Sequence, residues 1–157
     1  ETVDLIFKGI SGLIPLALLM MLAFAIGTVC RELGTGLYTA ELSKQWLAPD
    51  FVPVIIFLVG CFIAFSTGTS WGTFAIMLPI GIPMAQALDA NLYLTVAAAL
   101  GGGVFGDHCS PISDTTIISS MASASDHIDH VKTQLPYALT AGAITAVLYL
   151  VLGVLIH

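Results

Sequence analysis

The charged residues of this chain are confined to short segments, and the long stretches between them carry none. Asp, Glu, Lys and Arg are absent from residues 9–30, 51–88, 90–106 and 133–156. A helix of about 20 apolar residues crosses the roughly 30 Å hydrocarbon core of a membrane. Three of these stretches are therefore close to the length of one membrane span, and residues 51–88 are much too long for one. The pattern predicts an all-α, polytopic membrane protein.

Composition supports a membrane protein over a soluble one. Of the 157 residues, 57% are apolar and 9% are charged, whereas a typical soluble domain has about 25% charged residues. The net charge of −6 argues against nucleic-acid binding, which needs a basic surface. Three cysteines lie far apart, at Cys30, Cys61 and Cys109, so neither a disulfide framework nor a structural zinc site is indicated.

The longest uncharged stretch, residues 51–88, must be interrupted. As one helix it would reach about 57 Å, nearly twice the hydrocarbon core. Ser66-Thr-Gly-Thr-Ser-Trp-Gly-Thr73 supplies two glycines and five hydroxyl side chains. The two arms either meet end to end as half-helices, fold back as a re-entrant hairpin, or are short spans joined by an ordinary turn outside the membrane. Irregular backbone at membrane depth survives only where its polar groups find partners, so this break is a candidate site.

A second interruption follows in residues 91–124. An apolar arm, Leu92–Phe105, contains three flexible glycines and leads into a polar break, Gly106–Thr116. Pro111 lacks an N–H and disfavours helix at the residue before it. A short second arm, Ile117–Ala124, follows, and either Ser113 or Asp114 could cap its first turn. We expect discontinuous or re-entrant transmembrane helices at both breaks.

The remaining segments read more simply. Residues 10–30 predict one helix, residues 125–135 a polar loop, and Pro136–Ile156 a single span with its proline near the first turn. Residues 38–46 place Tyr38, Leu42 and Trp46 on one helical face. This amphipathic stretch is either an interfacial connector or one arm of a re-entrant hairpin. Only four basic residues are present, so the positive-inside rule gives no orientation.

Two interrupted apolar segments with hydroxyl-rich breaks are typical of secondary transporters. Asp107 and Asp114 flank the second break, and neither break contains Lys or Arg. Carboxylate, hydroxyl and carbonyl oxygens suit a hard cation and a proton. Burial favours the protonated form of a carboxylate, so cation and proton can compete for one acid. Asp107 is our candidate for this role. Alternatively, it lies at the membrane surface or bonds unwound backbone, and Asp114 serves only as a cap.

The neighbouring side chains have two interpretations each. His108 is either a second titrating group or a structural histidine that bonds a backbone carbonyl. Ser110, Ser113, Thr115 and Thr116 are either ion ligands or partners for the helix ends. Asp-His pairs recur at 107–108, 126–127 and 129–130 and raise a transition-metal hypothesis. Their spacings match no standard zinc pattern, so we expect residues 126–130 to be a solvated loop.

Three segments carry a family resemblance. Gly106-Asp-His-Cys-Ser-Pro-Ile-Ser-Asp-Thr-Thr-Ile-Ile-Ser-Ser120, followed by Asp126-His-Ile-Asp-His-Val-Lys-Thr-Gln-Leu-Pro-Tyr137, closely resembles the NhaC family of bacterial sodium/proton antiporters. Gly68-Thr-Ser-Trp-Gly-Thr-Phe-Ala-Ile-Met-Leu-Pro79 is similar to the preceding signature of that family. The resemblance spans roughly residues 10–150 and covers the C-terminal part of such a transporter. Residues 1–157 are therefore expected to be one transmembrane domain, a C-terminal repeat of a longer protein.

The resemblance implies Na⁺/H⁺ antiport across the bacterial cytoplasmic membrane by a multi-pass protein that is not an enzyme. The family also includes exchangers of organic acids such as malate and lactate, which is the alternative function. The implied partners are membrane lipid, the missing N-terminal half and a second copy of the chain, with no nucleic acid and no cofactor beyond the transported Na⁺ and H⁺. The residues it implies for ion and proton binding, with Asp107 and Asp114 as Na⁺ ligands, are Asp107, His108, Ser110, Ser113, Asp114 and Thr115 in one break and Thr67, Thr69, Ser70 and Thr73 in the other.

Overall fold

A computed structural model describes residues 2–156, including their side chains except at positions 2, 12, 13, 15, 16, 19, 20 and 23. Within this range the chain is helical, with no strand. The elements, in order, are α1 (Thr2–Glu32), α2 (Thr35–Ser43), a 3₁₀ turn (Pro49–Phe51), α3 (Val52–Thr67), α4 (Ser70–Leu88), α5 (Leu92–Cys109), α6 (Asp114–Ala122) and α7 (His127–Leu155).

The predicted fold class, an all-α membrane protein, is confirmed. In the described part of the chain, three helical segments are long and apolar enough to cross a membrane: Pro49–Thr67, Ser70–Leu88 and His127–Leu155. Many large apolar side chains on the outer surfaces are exposed, as at Phe24 and Phe62, which are each 72% exposed. Such a surface suits hydrocarbon or protein neighbours and not water.

Helices α3 and α5 run parallel and very close together. A Cβ atom at Gly102 would collide with the carbonyl oxygen of Phe57, and one at Gly106 with the carbonyl oxygen of Cys61. Phe57 and its neighbours form a buried core that extends to Ala98 and Ala99 of α5. The glycines of α5 therefore serve close helix packing. The expectation that Gly101–Gly103 make this arm flexible stays a prediction.

The chain folds back after α3 instead of continuing in the same direction. Gly81, late in α4, faces Ile56 near the start of α3, so the two helices are antiparallel. The end-to-end arrangement of half-helices is thus wrong for this pair. The interruption is also shorter than the predicted Ser66–Thr73, because only Gly68 and Thr69 are non-helical. Gly68 has φ +68°, a left-handed conformation that glycine adopts without a steric penalty.

Helix α7 runs antiparallel to α3 and α5 and covers them along their length. Gly142 faces Phe105, and Gly153 faces the backbone of Asp50. Asn91, which caps α5, donates from its side-chain amide to the carbonyl of Ile156 at 3.0 Å. The ends of α3 and α5 and the start of α7 consequently lie at the same end of the bundle, and both helix breaks are there.

Three predicted boundaries are corrected. Helix α5 continues to Cys109, so the second break is Ser110–Ser113 and not Gly106–Thr116. Residues 127–135, predicted as a loop, form the first turns of α7, because Asp126 accepts hydrogen bonds from the amides of Ile128 and Asp129 and so caps the helix. Pro136 accordingly lies inside α7 and not in its first turn.

The two N-terminal helices pack against α4. Helix α1 extends beyond the predicted residues 10–30 to Thr2–Glu32. Gly27 of α1 and Gly36 of α2 face Pro79 and Pro83, two prolines inside α4. Ala40 is fully buried, whereas the predicted apolar face at Tyr38, Leu42 and Trp46 is exposed. Both interpretations of this stretch, interfacial connector and re-entrant arm, stay predictions.

Candidate ion-binding site

Asp107 lies in the last turn of α5 and is buried, with 5% of its surface exposed. Its Oδ1 accepts a hydrogen bond from the Ser113 hydroxyl, which reaches it from the far side of the break. Its Oδ2 lies 4.0 Å from Nδ1 of His108. The His108 ring is itself exposed, and its Nδ1 donates to the carbonyl of Val104 at 3.0 Å. Asp107 is therefore covered by the described part of the chain, and the alternative that it lies at the membrane surface stays a prediction.

Ser113 caps α6 and is fully buried. Its Oγ accepts from the Thr115 amide at 3.2 Å and lies 2.8 Å from the Thr115 hydroxyl. Ser113 therefore holds the start of α6 and the Asp107 carboxylate at once. Asp114, the other candidate cap, is the exposed first residue of α6. It does not contact Asp107 through any hydrogen bond or ion pair recorded for residues 2–156.

Ser110 attaches the second break to α3. It is fully buried, its hydroxyl donates to the carbonyl of Phe65 at 2.7 Å, and its Oγ accepts from the Ile112 amide at 3.3 Å. A Cβ atom at Gly68 would come within 3.0 Å of the carbonyl oxygen of Ile112. The two breaks, separated by some 40 residues in the chain, are thus in direct contact.

The hydroxyl side chains of Thr67, Thr69 and Thr73, in and beside the first break, bond their own helices. Thr67 is exposed and donates to the carbonyl of Ile63, whereas Thr73 is fully buried and donates to the carbonyl of Thr69. Thr69 caps α4 through the Gly72 amide at 3.4 Å, and Ser70 is the half-buried first residue of that helix. Within the described part of the chain none of these four side chains has a recorded hydrogen bond to Asp107.

The first two turns of α7 also contribute, which the sequence did not indicate. Gln134 donates from Nε2 to the carbonyl of His108 at 3.0 Å, and Thr116 donates to the same carbonyl at 3.2 Å. The His127 ring contacts the carbonyl of Pro111 at 2.6 Å and the Ser120 hydroxyl at 3.1 Å. These partners satisfy backbone groups that the break leaves without helical bonds. Asp126 as a cap was the one signal that could have located them.

The transition-metal hypothesis gains no support from this geometry. Among the described residues, no three His, Cys, Asp or Glu side chains come close enough together to share a metal ion. Asp126 caps a helix, and His127 contacts a backbone carbonyl and a serine. Cys109 is buried at the end of α5.

The fold and the site define a helical, polytopic membrane protein with a buried carboxylate at the end of an interrupted helix. The chain belongs to the Na⁺/H⁺ antiporter family, whose model matches residues 1–154. The resemblance to NhaC is confirmed by 30% identity to the Na⁺/H⁺ antiporter NhaC of Alkalihalophilus pseudofirmus, over 90% of this chain and 30% of that protein.

Two further relatives show how the similarity is distributed. An uncharacterized protein of Haemophilus influenzae is 46% identical over 93% of this chain and 28% of its own length. The malate-2H⁺/Na⁺-lactate antiporter of Bacillus subtilis is 34% identical over 71% of this chain and 27% of its own length. The chain thus spans less than a third of each of these relatives. No solved structure matches it.

Proposed function

We propose that the complete protein containing this chain exchanges Na⁺ for H⁺ across the bacterial cytoplasmic membrane, and that Asp107 takes the two ions in turn. One observation carries the proposal. Asp107 is a buried carboxylate at a helix break, and a fully buried serine from the opposite side of that break donates to it. An ionisable side chain among apolar helices is a functional candidate, because its burial costs free energy and such residues are rare without a functional role.

The oxygen atoms around Asp107 suit Na⁺ or a proton. The break brings the hydroxyls of Ser110 and Ser113 to the end of α5, where backbone carbonyls lack helical partners. Hard cations prefer such oxygen ligands. No Lys or Arg lies in either break, so a bound cation meets neither of these permanently charged side chains there. Because one carboxylate serves both ions, arrival of Na⁺ favours release of the proton, and this couples the two fluxes.

A chain of hydroxyl groups gives the proton a route. When Asp107 is ionised, Ser113 donates to it and can accept from the Thr115 hydroxyl 2.8 Å away. When Asp107 is protonated, it can donate to Ser113, which then donates to Thr115. The hydrogen bonds that join Asp107 Oδ1, Ser113 and Thr115 can form in both states, with their direction reversed. Thr115 is exposed and forms the outer end of this route.

Organic-acid exchange is the second candidate, and the similarity to the malate-2H⁺/Na⁺-lactate antiporter favours it. In that case the carboxylate substrate would bind at hydroxyls and helix N-termini, which favour anions. Either way we propose transport without chemical conversion of the substrate. Partners would be lipid, the rest of the transporter and a second copy of the chain.

The test is ion exchange by the complete protein in proteoliposomes, with internal pH as the readout. We expect a Na⁺-driven pH change without added organic acid, and we expect it to be lost in Asp107→Asn. Asparagine can still accept the Ser113 hydrogen bond but cannot carry the proton, so folding should persist. Asp89→Asn is the matched control, because Asp89 is an exposed acid at the end of α4 that lies away from the two breaks. Its φ is +59°, a left-handed conformation that asparagine tolerates. Exchange that requires malate or lactate would favour the second candidate, and unaltered exchange in Asp107→Asn would contradict both the assignment and the mechanism.

A further inference from the structure

His127 connects three elements at the candidate site. It is the first residue of α7, its Nε2 lies 2.6 Å from the carbonyl oxygen of Pro111 in the second break, and its Nδ1 lies 3.1 Å from the hydroxyl of Ser120 in α6. Ser120 is 2% exposed. The imidazole therefore lies between the break and the helix that follows it, with both ring nitrogens engaged.

The Pro111 carbonyl receives its recorded hydrogen bond from this ring and not from the backbone. In a continuous helix the Pro111 carbonyl would accept a hydrogen bond from the amide of Thr115. Here that amide donates to the Ser113 hydroxyl instead. The amides of Ile112 and Ser113 bond Ser110, through its hydroxyl and its carbonyl respectively. A carbonyl can only accept, so Nε2 must carry a proton and donate it.

The contact to Ser120 persists in both charge states of the ring. In the neutral ring Nδ1 has a lone pair, and the Ser120 hydroxyl can donate to it. In the charged ring Nδ1 donates, and the Ser120 hydroxyl turns to the carbonyl of Ile117, which lies 2.7 Å away. The bond from Nε2 to Pro111 is the same in both states, so the bridge does not depend on the charge of the ring.

We propose that His127 is a positioning residue for Asp107. By holding the Pro111 carbonyl, it fixes a four-residue break, Ser110–Ser113, whose last member donates to the Asp107 carboxylate. Gln134 strengthens the same attachment of α7 to the end of α5. Helix α7 thereby orients the site, a role that rests on the proposed function of Asp107 in ion exchange.

Two amide substitutions test the contribution of each ring nitrogen of His127 separately. Glutamine places an N–H donor near the position of Nε2, so His127→Gln should keep the bond to Pro111. Asparagine places its amide near Nδ1, so His127→Asn should keep only the contact to Ser120. His130→Ala is the matched control, since His130 lies in the same turn and no recorded side-chain hydrogen bond joins it to the second break.

Two measurements on the complete protein test the proposal. Amide hydrogen exchange over residues 110–122 should accelerate in His127→Asn and remain close to the unmodified protein in His127→Gln and His130→Ala. In proteoliposomes, the Na⁺ concentration for half-maximal exchange should rise about tenfold in His127→Asn, the scale typical when a residue that orients a ligand is lost, with little change in maximal rate.

Each possible result of these measurements either supports or contradicts the proposal for His127. If Asn and Gln at position 127 behave alike, or if amide exchange is unchanged in His127→Asn, the bridge to Pro111 does not hold the break and the proposal fails. If amide exchange accelerates but the Na⁺ dependence is unaltered, His127 is structural and does not position Asp107. Failure of the proposed function would show itself separately, as unaltered transport in Asp107→Asn, while the hydrogen-exchange measurement would still report on the bridge.

Discussion

The two helix breaks are similar in composition and different in use. Beside the first break, Ser66, Thr67 and Thr73 each donate to a carbonyl four residues earlier in the chain, a local bond that serine and threonine make in many helices. In the second break the hydroxyls cross between elements, from Ser110 to α3 and from Ser113 to Asp107. Among the described residues, hydroxyls reach a buried acid in the second break and not in the first.

This difference shows that hydroxyl content alone does not identify an ion site in a membrane protein. The acceptor that each hydroxyl reaches is the deciding property. The first break closes a hairpin through the left-handed Gly68 and the Thr69 cap, and it supports the second by packing against Ile112. We therefore interpret the first break as a structural turn. The predicted roles of Thr67, Thr69, Ser70 and Thr73 as ion ligands stay untested predictions that the geometry does not favour.

The largest expected effect of breaking this architecture is on stability. Gly68→Ala introduces a residue that disfavours φ +68° and a Cβ atom about 2.9 Å from the Ile112 side chain. We expect unfolding in detergent to require about 2–4 kcal/mol less free energy, from left-handed strain and overpacking together.

Gly34→Ala is the control for this change. Gly34 also has a positive φ, +65°, but no atom lies within 4 Å of a Cβ built there. It should lose only the strain contribution, about 1–2 kcal/mol. Equal losses in the two variants would show that the added Cβ atom at position 68 is accommodated and that the two breaks are not tightly packed.

The next largest effect is on transport, and it compares a hydroxyl in the second break with one beside the first break. Ser113→Ala removes a hydrogen bond to a buried charge, an interaction of about 1.5–3 kcal/mol. If the complete protein exchanges Na⁺ as proposed, half-maximal exchange should need roughly 10–100 times more Na⁺. Thr67→Ala removes an exposed hydroxyl bonded to its own helix and should leave the Na⁺ dependence unchanged. Similar effects in the two variants would remove the distinction between the breaks.

The sequence located both breaks but not their edges. Proline, glycine and hydroxyl residues mark where a helix can end, and both interruptions lie within the predicted ranges. Gly106 was interpreted as part of a break, yet it lies in α5 against the carbonyl of Cys61. A glycine permits a turn and also permits close packing, and only the neighbouring helix decides between them. This is why Asp107 and His108 are in a helix and not in a loop.

The residues that support the site, His127 and Gln134, were harder to predict from the sequence than Asp107. Local composition made Asp107, next to hydroxyl side chains, the candidate for the buried acid. The contacts of His127 with Pro111 and of Gln134 with His108 join residues 16 and 26 positions apart, and no local pattern encodes such pairs. The polar character of residues 125–135 indicated a loop, although Asp126 and Asp129 at the start of a helix are also the residues that favour its N-terminus.

The smallest expected effect concerns the second acid and decides whether the site has one carboxylate or two. Asp114 is exposed in the first turn of α6, where a negative charge interacts favourably with the helix dipole by about 0.3–1 kcal/mol. Asp114→Asn should lower stability in detergent by no more than this amount and leave Na⁺-driven exchange in proteoliposomes intact, in contrast to Asp107→Asn. Loss of exchange in Asp114→Asn would mean that α6 turns its acid toward Asp107 in another state of the transport cycle. The second break would then bind the cation between two carboxylates, and the contrast with the first break would be larger than the one drawn from Asp107 alone.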